Sequence, residues 1–301
     1  MIVVDDGSSD ATAEVVARFS DPRIRMVRQS NAGVSAARNR GLREVSGDAV
    51  LFLDGDDWLA PDAFARIAAA LEAEPNCIAA YGAFCFVTEA GTPVHYKRGL
   101  FPSGDILERL LEENLFANGG HMLIRRDALD AVGPFRTDLA YGEDWECWIR
   151  LAASGWFAVV PGGEPLLFVR QRESGTYLRM ANDPTAFLPC MDAIFSNPRL
   201  VARFGPERLQ AIRRRTEAEN CWIIGRELIR HRRGEGRAWL RRSVISKPSL
   251  KRFGLLAVAH SLFLFPERLR GPFCGYGGHV GEEQTESFGH RRMGEDGVAE
   301  R

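Results

Sequence analysis

Along its first half the chain alternates short apolar runs with stretches of helical periodicity. Ile2-Val3-Val4 reads as a buried strand, and Ile24 to Val27 and Ala49 to Leu53 as two more strands, the first and third ending on acidic residues. Asp10 is placed to cap a helix over about 11–19, and Gly33 to begin one over 34–45. Pro61 suits the first turn of a helix reaching Glu74, where Glu74-Pro75 stops it. Further strands are expected near 78–81, 84–88, 122–125, 156–160 and 166–169, with a turn at 89–92 and a helix from Asp144 to Ser154. Strands alternating with helices argue for an α/β domain, a mostly parallel sheet with helices on both faces. From Asp183 onward the pattern is helical, and after about Gly271 it becomes Gly-rich and polar, which predicts a disordered tail. The resulting division is an α/β domain over 1–180, a helical extension over 181–270 and a tail over 271–301.

Charge sharpens that division. The net charge is only -1, yet residues 199–270 hold 18 Lys/Arg against 6 Asp/Glu, leaving 21 against 34 elsewhere. The six cysteines form no CxxC pair and read as scattered reduced thiols. The longest apolar run, Phe253 to Phe265, is broken by His260 and Ser261 and falls short of a membrane span. The chain begins directly on Met1-Ile2-Val3-Val4-Asp5-Asp6 with no leader pattern, so a cytoplasmic protein is expected. Lys247, Lys251, Arg252, Arg268 and Arg270 border the apolar run; either it packs on the first domain, or 247–270 lies at the inner face of an anionic membrane. Nucleic acid is not expected as a partner, because stacking aromatics and a known binding module are missing.

The chemistry concentrates at strand ends, where open α/β sheets bind ligands. Asp5-Asp6 follows the first strand, and Asp54-Gly55-Asp56-Asp57 the third. Carboxylates crowded together repel one another, and a cation offsets that repulsion. Hard oxygen ligands favour Mg²⁺ or Mn²⁺, which can bridge to phosphate oxygens. Asp10 and Asp62 read instead as turn or cap residues.

Four segments in order carry a resemblance: Asp5-Asp6-Gly7-Ser8-Ser9-Asp10, Asn31 to Asn39, Phe52 to Leu59, and Tyr141-Gly142-Glu143-Asp144-Trp145-Glu146. Together they resemble the family 2 glycosyltransferases of the GT-A fold, over roughly residues 1–175. The resemblance implies a Rossmann-like GT-A domain that moves one sugar from a nucleotide-diphosphate sugar donor to an acceptor hydroxyl, with inversion, assisted by Mg²⁺ or Mn²⁺. Residue by residue, it implies Asp6 at the nucleobase, Arg38 near the donor, Asp54 toward the ribose or metal water, Asp56 as metal ligand and Asp144 as catalytic base. Asp57 is expected to order the loop. Trp145 and Trp148 share a helix face; Trp145 is the candidate acceptor contact and Trp148 a core residue. Arg172 is equally a diphosphate contact or solvated charge, and His121 a core or turn histidine.

The Gln-x-x-Arg-Trp element of processive members is absent, which favours transfer of a single sugar to a saccharide or lipid-linked acceptor, in surface polysaccharide or glycolipid synthesis. Family members also carry an earlier strand and helix, so the domain is expected to be N-terminally incomplete. Two readings therefore stand: an active transferase, or a non-catalytic remnant that binds a nucleotide or partner.

Overall fold

Apolar triplets such as Ile2-Val3-Val4 become short strands, while longer periodic stretches such as 34–44 become helices that cover them. The structure is a computed structural model describing residues 1–97, 101–171, 182–183 and 185–264. Strand β1 (Ile2–Asp5) pairs in parallel with β2 (Arg25–Arg28), joined through helix α1 (Thr12–Ala17). Helix α2 (Val34–Glu44) packs on β1.

The remaining strands build two four-stranded sheets, and here the pairing is mixed rather than mostly parallel. One runs β3 (Ala49–Val50), β8 (Met122–Arg125), β5 (Cys77–Tyr81), β9 (Trp156–Val159), with only β5–β9 parallel. The other runs β4 (Trp58–Leu59), β10 (Leu167–Arg170), β6 (Phe84–Val87), β7 (Pro93–Lys97), with only β10–β6 parallel. Helix α3 (Ala63–Ala73) packs against β5 and β8. The expected third strand leaves its ladder after Val50, and residues 51–57 run on as irregular chain to the acidic turn. Strand β7 is wholly exposed and begins at proline, a residue tolerated at a sheet edge because it lacks a ladder donor there.

Two short helices also escape the sequence reading, α4 (Leu107–Glu112) and α5 (Arg126–Val132). Helix α6 (Glu143–Ala152) begins after Gly142, held in the left-handed region at φ 75°, and has Glu143, Asp144 and Glu146 in its first turn. Acids there complement the positive end of the helix dipole. The helical region follows as α7 (Leu188–Phe195), α8 (Pro198–Phe204), α9 (Pro206–Arg230), α10 (Gly236–Ser246) and α11 (Leu250–Leu264).

One core runs through both regions. Trp148, Phe157, Tyr81 and Leu110 share it with Met191, Leu209, Ile212 and Leu228. Three basic residues of the extension face acids of α4 and its approach: Arg208 meets Glu108 at 2.7 Å, Arg215 meets Glu112 at 3.0 Å, and Arg203 pairs with Asp105. The five described cysteines are buried. No helix among the described residues is long and apolar enough to cross a membrane. The tail over 271–301 lies outside the described residues.

Candidate functional site

Asp5 ends β1 and Asp6 follows it, and the two organise two turns. Asp5 Oδ1 accepts from the Ser8 N–H at 2.7 Å while Oδ2 faces Arg28 Nε at 3.2 Å. The Ser8 hydrogen bonds, with Arg28 beside them, hold the Asp5 carboxyl below the usual carboxylate range. Asp6 accepts from Gln29 Nε2 (2.8 Å) and from the N–H groups of Ala32 (2.9 Å) and Gly33 (2.8 Å). Burial raises its pKa, but those three donors outweigh burial and leave it lowered. Gly7, at φ 78°, fits between these turns because a Cβ there would meet Asn31 N at 2.8 Å. Thus Asp6 anchors the turn that opens α2, which carries Arg38.

Arg38 is the hub of the site. Its Nη2 donates to Asp54 Oδ1 and its Nη1 to Glu143 Oε1, both at 3.1 Å, with the guanidinium 5.5 Å from the Phe135 ring centre. Asn39 locks the same helix in place by exchanging two 2.8 Å hydrogen bonds with the Phe135 backbone. Burial would lower the Arg38 pKa, but Asp54, Asp144 and Glu143 raise it overall, so the cation is firmly held.

The acidic turn is fixed from two sides. Asn118 Nδ2 donates to Asp54 Oδ2 at 3.1 Å and to Asp57 Oδ2, while Asn118 Oδ1 accepts from the Gly120 N–H at 3.0 Å. Arg170 gives its N–H to Asp57 Oδ1 at 2.8 Å and its Nε to the Asp56 carbonyl at 3.1 Å, stacking over Trp58 at 5.2 Å. Burial pushes the Asp57 carboxyl up to about 6; the Arg170 and Asn118 hydrogen bonds oppose it, and Asp56 and Asp54 add to it. Asp57 therefore orders the loop, as expected.

Asp144 stands beside Glu143 at the start of α6, within the field of Arg38. Burial and then the Glu143 charge push its carboxyl up to about 7, against Arg38 and the Trp145 N–H at 2.6 Å. A carboxylate poised near neutrality suits proton abstraction.

The structure brings Arg38, Asp54 and Asp144 together and puts Asp56 in the same turn as Asp54. It does not favour Trp145 at an acceptor. That ring is 6% exposed and its Nε1 donates to the Leu110 carbonyl at 2.9 Å, so it offers no open face for a sugar. Trp148 is fully buried, as expected of a core residue; Gly119, at φ 90°, lies so close that a Cβ would meet its ring at 2.7 Å. His121 is a core histidine against Phe84 and Phe116, kept neutral by burial, which lowers its pKa to about 3. Arg172 lies outside the described residues.

Asn118 and Arg170 were missed by sequence reasoning. Asn118 precedes Gly119-Gly120 and looks like an ordinary turn residue, while Arg170 looks like a charge at a strand end. Neither carries a local signal of its partners.

Hard oxygen donors at Asp54 and Asp56 suit Mg²⁺ or Mn²⁺. Among the described residues no three His, Cys, Asp or Glu side chains are grouped to enclose a cation. Asp54 and Asp57 already receive hydrogen bonds on both oxygens. The fit is thus to an ion held by one or two carboxylates and completed by phosphate oxygens, the usual manner for Mg²⁺.

The sequence pattern of the family described as Glycosyl transferase family 2 matches residues 1–133. Glycosyltransferase GlyA of Streptococcus pneumoniae is 52% identical over 64 residues, 21% of this chain and 9% of that protein. Succinoglycan biosynthesis protein ExoO of Rhizobium meliloti is 41% identical over 68 residues, 22% of this chain and 20% of that protein. Alignments with such curated relatives take in from 9% to 57% of the relatives' own length. Among solved structures, the mannosyltransferase PcManGT of Pyrobaculum calidifontis, in complex with GDP-Man and Mn²⁺, is 20% identical with a TM-score of 0.51. That match covers 88% of this chain and 71% of PcManGT, and the two share the GT-A fold.

Proposed function

Because residues 1–133 match the pattern of glycosyl transferase family 2, we propose that the chain is a member of that family and an inverting, metal-dependent transferase of a single sugar. The donor is a nucleotide-diphosphate sugar, and the acceptor a hydroxyl of a saccharide or lipid-linked saccharide destined for surface polysaccharide or glycolipid. The observation that carries the proposal is the double engagement of Arg38, which ties the acidic turn at Asp54 to the Glu143-Asp144 pair. Donor-holding and proton-accepting groups thereby share one locus.

In the proposed mechanism Asp144 accepts the proton of the acceptor hydroxyl as its oxygen forms a bond to the anomeric carbon. The bond from that carbon to the diphosphate oxygen breaks on the opposite face, and the sugar inverts. Arg38 keeps the base and the acidic turn in register and contributes positive charge beside the donor. Asp6, through the 31–33 turn, shapes the wall for the nucleobase. Asp54 orients the donor ribose, and Asp56 would hold Mg²⁺ or Mn²⁺. When bound, that ion would offset charge on the departing diphosphate.

The test measures nucleoside diphosphate release and sugar transfer with Mn²⁺ across UDP-, GDP- and TDP-sugars, for the wild type and Asp144→Asn. Turnover of one donor that disappears in the variant, while the donor still raises the variant's Tm, supports the reading. Donor binding without turnover in the wild type instead favours a non-catalytic nucleotide-binding remnant. Loss of all turnover with EDTA and its return with Mn²⁺ test the metal separately.

A further inference from the structure

Helix α11 has two apolar faces, and only one meets the rest of the described fold. Its inner face packs Leu255, Leu256 and Ala259 against Trp222 and Leu240 of α9 and α10. The buried Arg252 tightens that contact, with Nη1 on Ser243 Oγ at 2.7 Å and Nη2 on Glu219 at 2.6 Å. On the outer face Leu250, Phe253, Gly254, Ala257, Val258 and Ser261 recur at the spacing of one helical stripe, and all are exposed. Leu250 is 93% exposed and Phe253 53%, while Ile245 at the end of α10 adds a residue 70% exposed. A surface helix ordinarily turns mainly polar residues outward; this one also exposes a stripe of apolar side chains, with Lys251 and His260 beside it.

The charge around the stripe is predominantly basic, since the nearby acids Glu219 and Glu235 are each already paired. Residues 236–264 contain six Lys/Arg and no Asp/Glu. A groove of about 610 Å³ between α10 and α11 is lined by Arg237, Arg241, Arg242, Ile245 and His260, with one acid, Glu235, which is paired to Arg233 at 2.7 Å, so basic groups predominate beside exposed apolar ones. A second copy of this chain would set two basic faces against each other, which like-charge repulsion disfavours. A nucleic acid would meet the charges but leave Leu250 and Val258 unused, since aliphatic side chains give no stacking platform.

We propose that the α10–α11 face docks on an anionic lipid surface, the Leu250–Phe253–Val258 stripe entering the interface while Arg241, Arg242 and Lys251 meet the headgroup phosphates. An apolar stripe with basic flanks is the composition that anionic interfaces bind. The docking is independent of sugar transfer and needs neither donor nor acceptor.

The test uses the full chain and sedimentation with vesicles, either pure phosphatidylcholine or phosphatidylcholine with about one part in three phosphatidylglycerol. The wild type is expected to sediment with the anionic vesicles only, less as salt rises. Leu250→Ser/Phe253→Ser and Arg241→Glu/Arg242→Glu should each weaken binding roughly tenfold or more without lowering Tm, because all four residues are exposed. No sedimentation of the wild type, or equal sedimentation of wild type and both variants, overturns the proposal. So does a dimer in lipid-free solution that Leu250→Ser/Phe253→Ser dissociates, since that assigns the stripe to a second copy.

Discussion

Arg38 donates to Glu143 at 3.1 Å across 105 residues of sequence, and the same guanidinium holds Asp54 at 3.1 Å. The planar fork satisfies two acids at once, which a point charge cannot do. Arg38→Ala leaves Asp54, Glu143 and Asp144 without their shared cation. It should cost about 2 kcal/mol in urea unfolding, at the low end because Asp54 keeps some solvent. Turnover should fall about a hundredfold, whereas Arg38→Lys recovers most of the stability but only about a tenth of the turnover. Equal turnover in both variants would show that the fork geometry is not needed.

The same pair sets the pH response of the proposed base. Burial and the Glu143 charge raise Asp144 to about 7, and only the ionised carboxylate can take a proton. The kcat/KM profile should therefore climb from acid pH and level off above about 7. Removing the neighbouring charge by Glu143→Gln should move that limb to lower pH. A limb that stays in place in Glu143→Gln would assign it to another group.

Asp57 predicts an unusual stability profile. Its folded-state pKa of about 6 lies above the ordinary 3.8, so the fold favours the neutral carboxyl. That contribution is complete below the ordinary value and is lost as pH rises through about 6. In EDTA, Tm should rise as the pH is lowered from 7 toward 5, before titration of the lowered carboxyls of Asp5 and Asp6 reverses the trend. Asp144 acts in the same direction, so the difference between wild type and Asp57→Asn isolates Asp57. Identical slopes for the two proteins would contradict its raised pKa.

What was legible in the sequence was local. Acids gathered at strand ends announce themselves by composition, and Glu143-Asp144 sits where helix starts favour negative charge. Strands β4 and β7 were not legible, since two residues, or five exposed ones beginning at a proline, carry no periodicity. Mixed pairing escaped for a related reason: alternation of apolar runs fixes which elements exist, while direction depends on neighbours chosen by the whole fold. Asn118 and Arg170 matter through contacts 61 and 113 residues away, which spacing cannot reveal.

Trp145 offers the sharpest check on where acceptor recognition does not lie. Trp145 and Trp148 fall on one face of α6, and both belong to the core. The Trp145 indole N–H caps the Leu110 carbonyl in the last turn of α4, where helix geometry supplies no partner of its own. Trp145→Phe keeps most of the apolar contact but strands that carbonyl, so it should cost about 1–2 kcal/mol of stability in denaturant unfolding. A residue with no open face makes no differential contact with an acceptor, so kcat and acceptor KM should stay within about twofold of wild type. A selective rise in acceptor KM at unchanged stability would return Trp145 to the acceptor site.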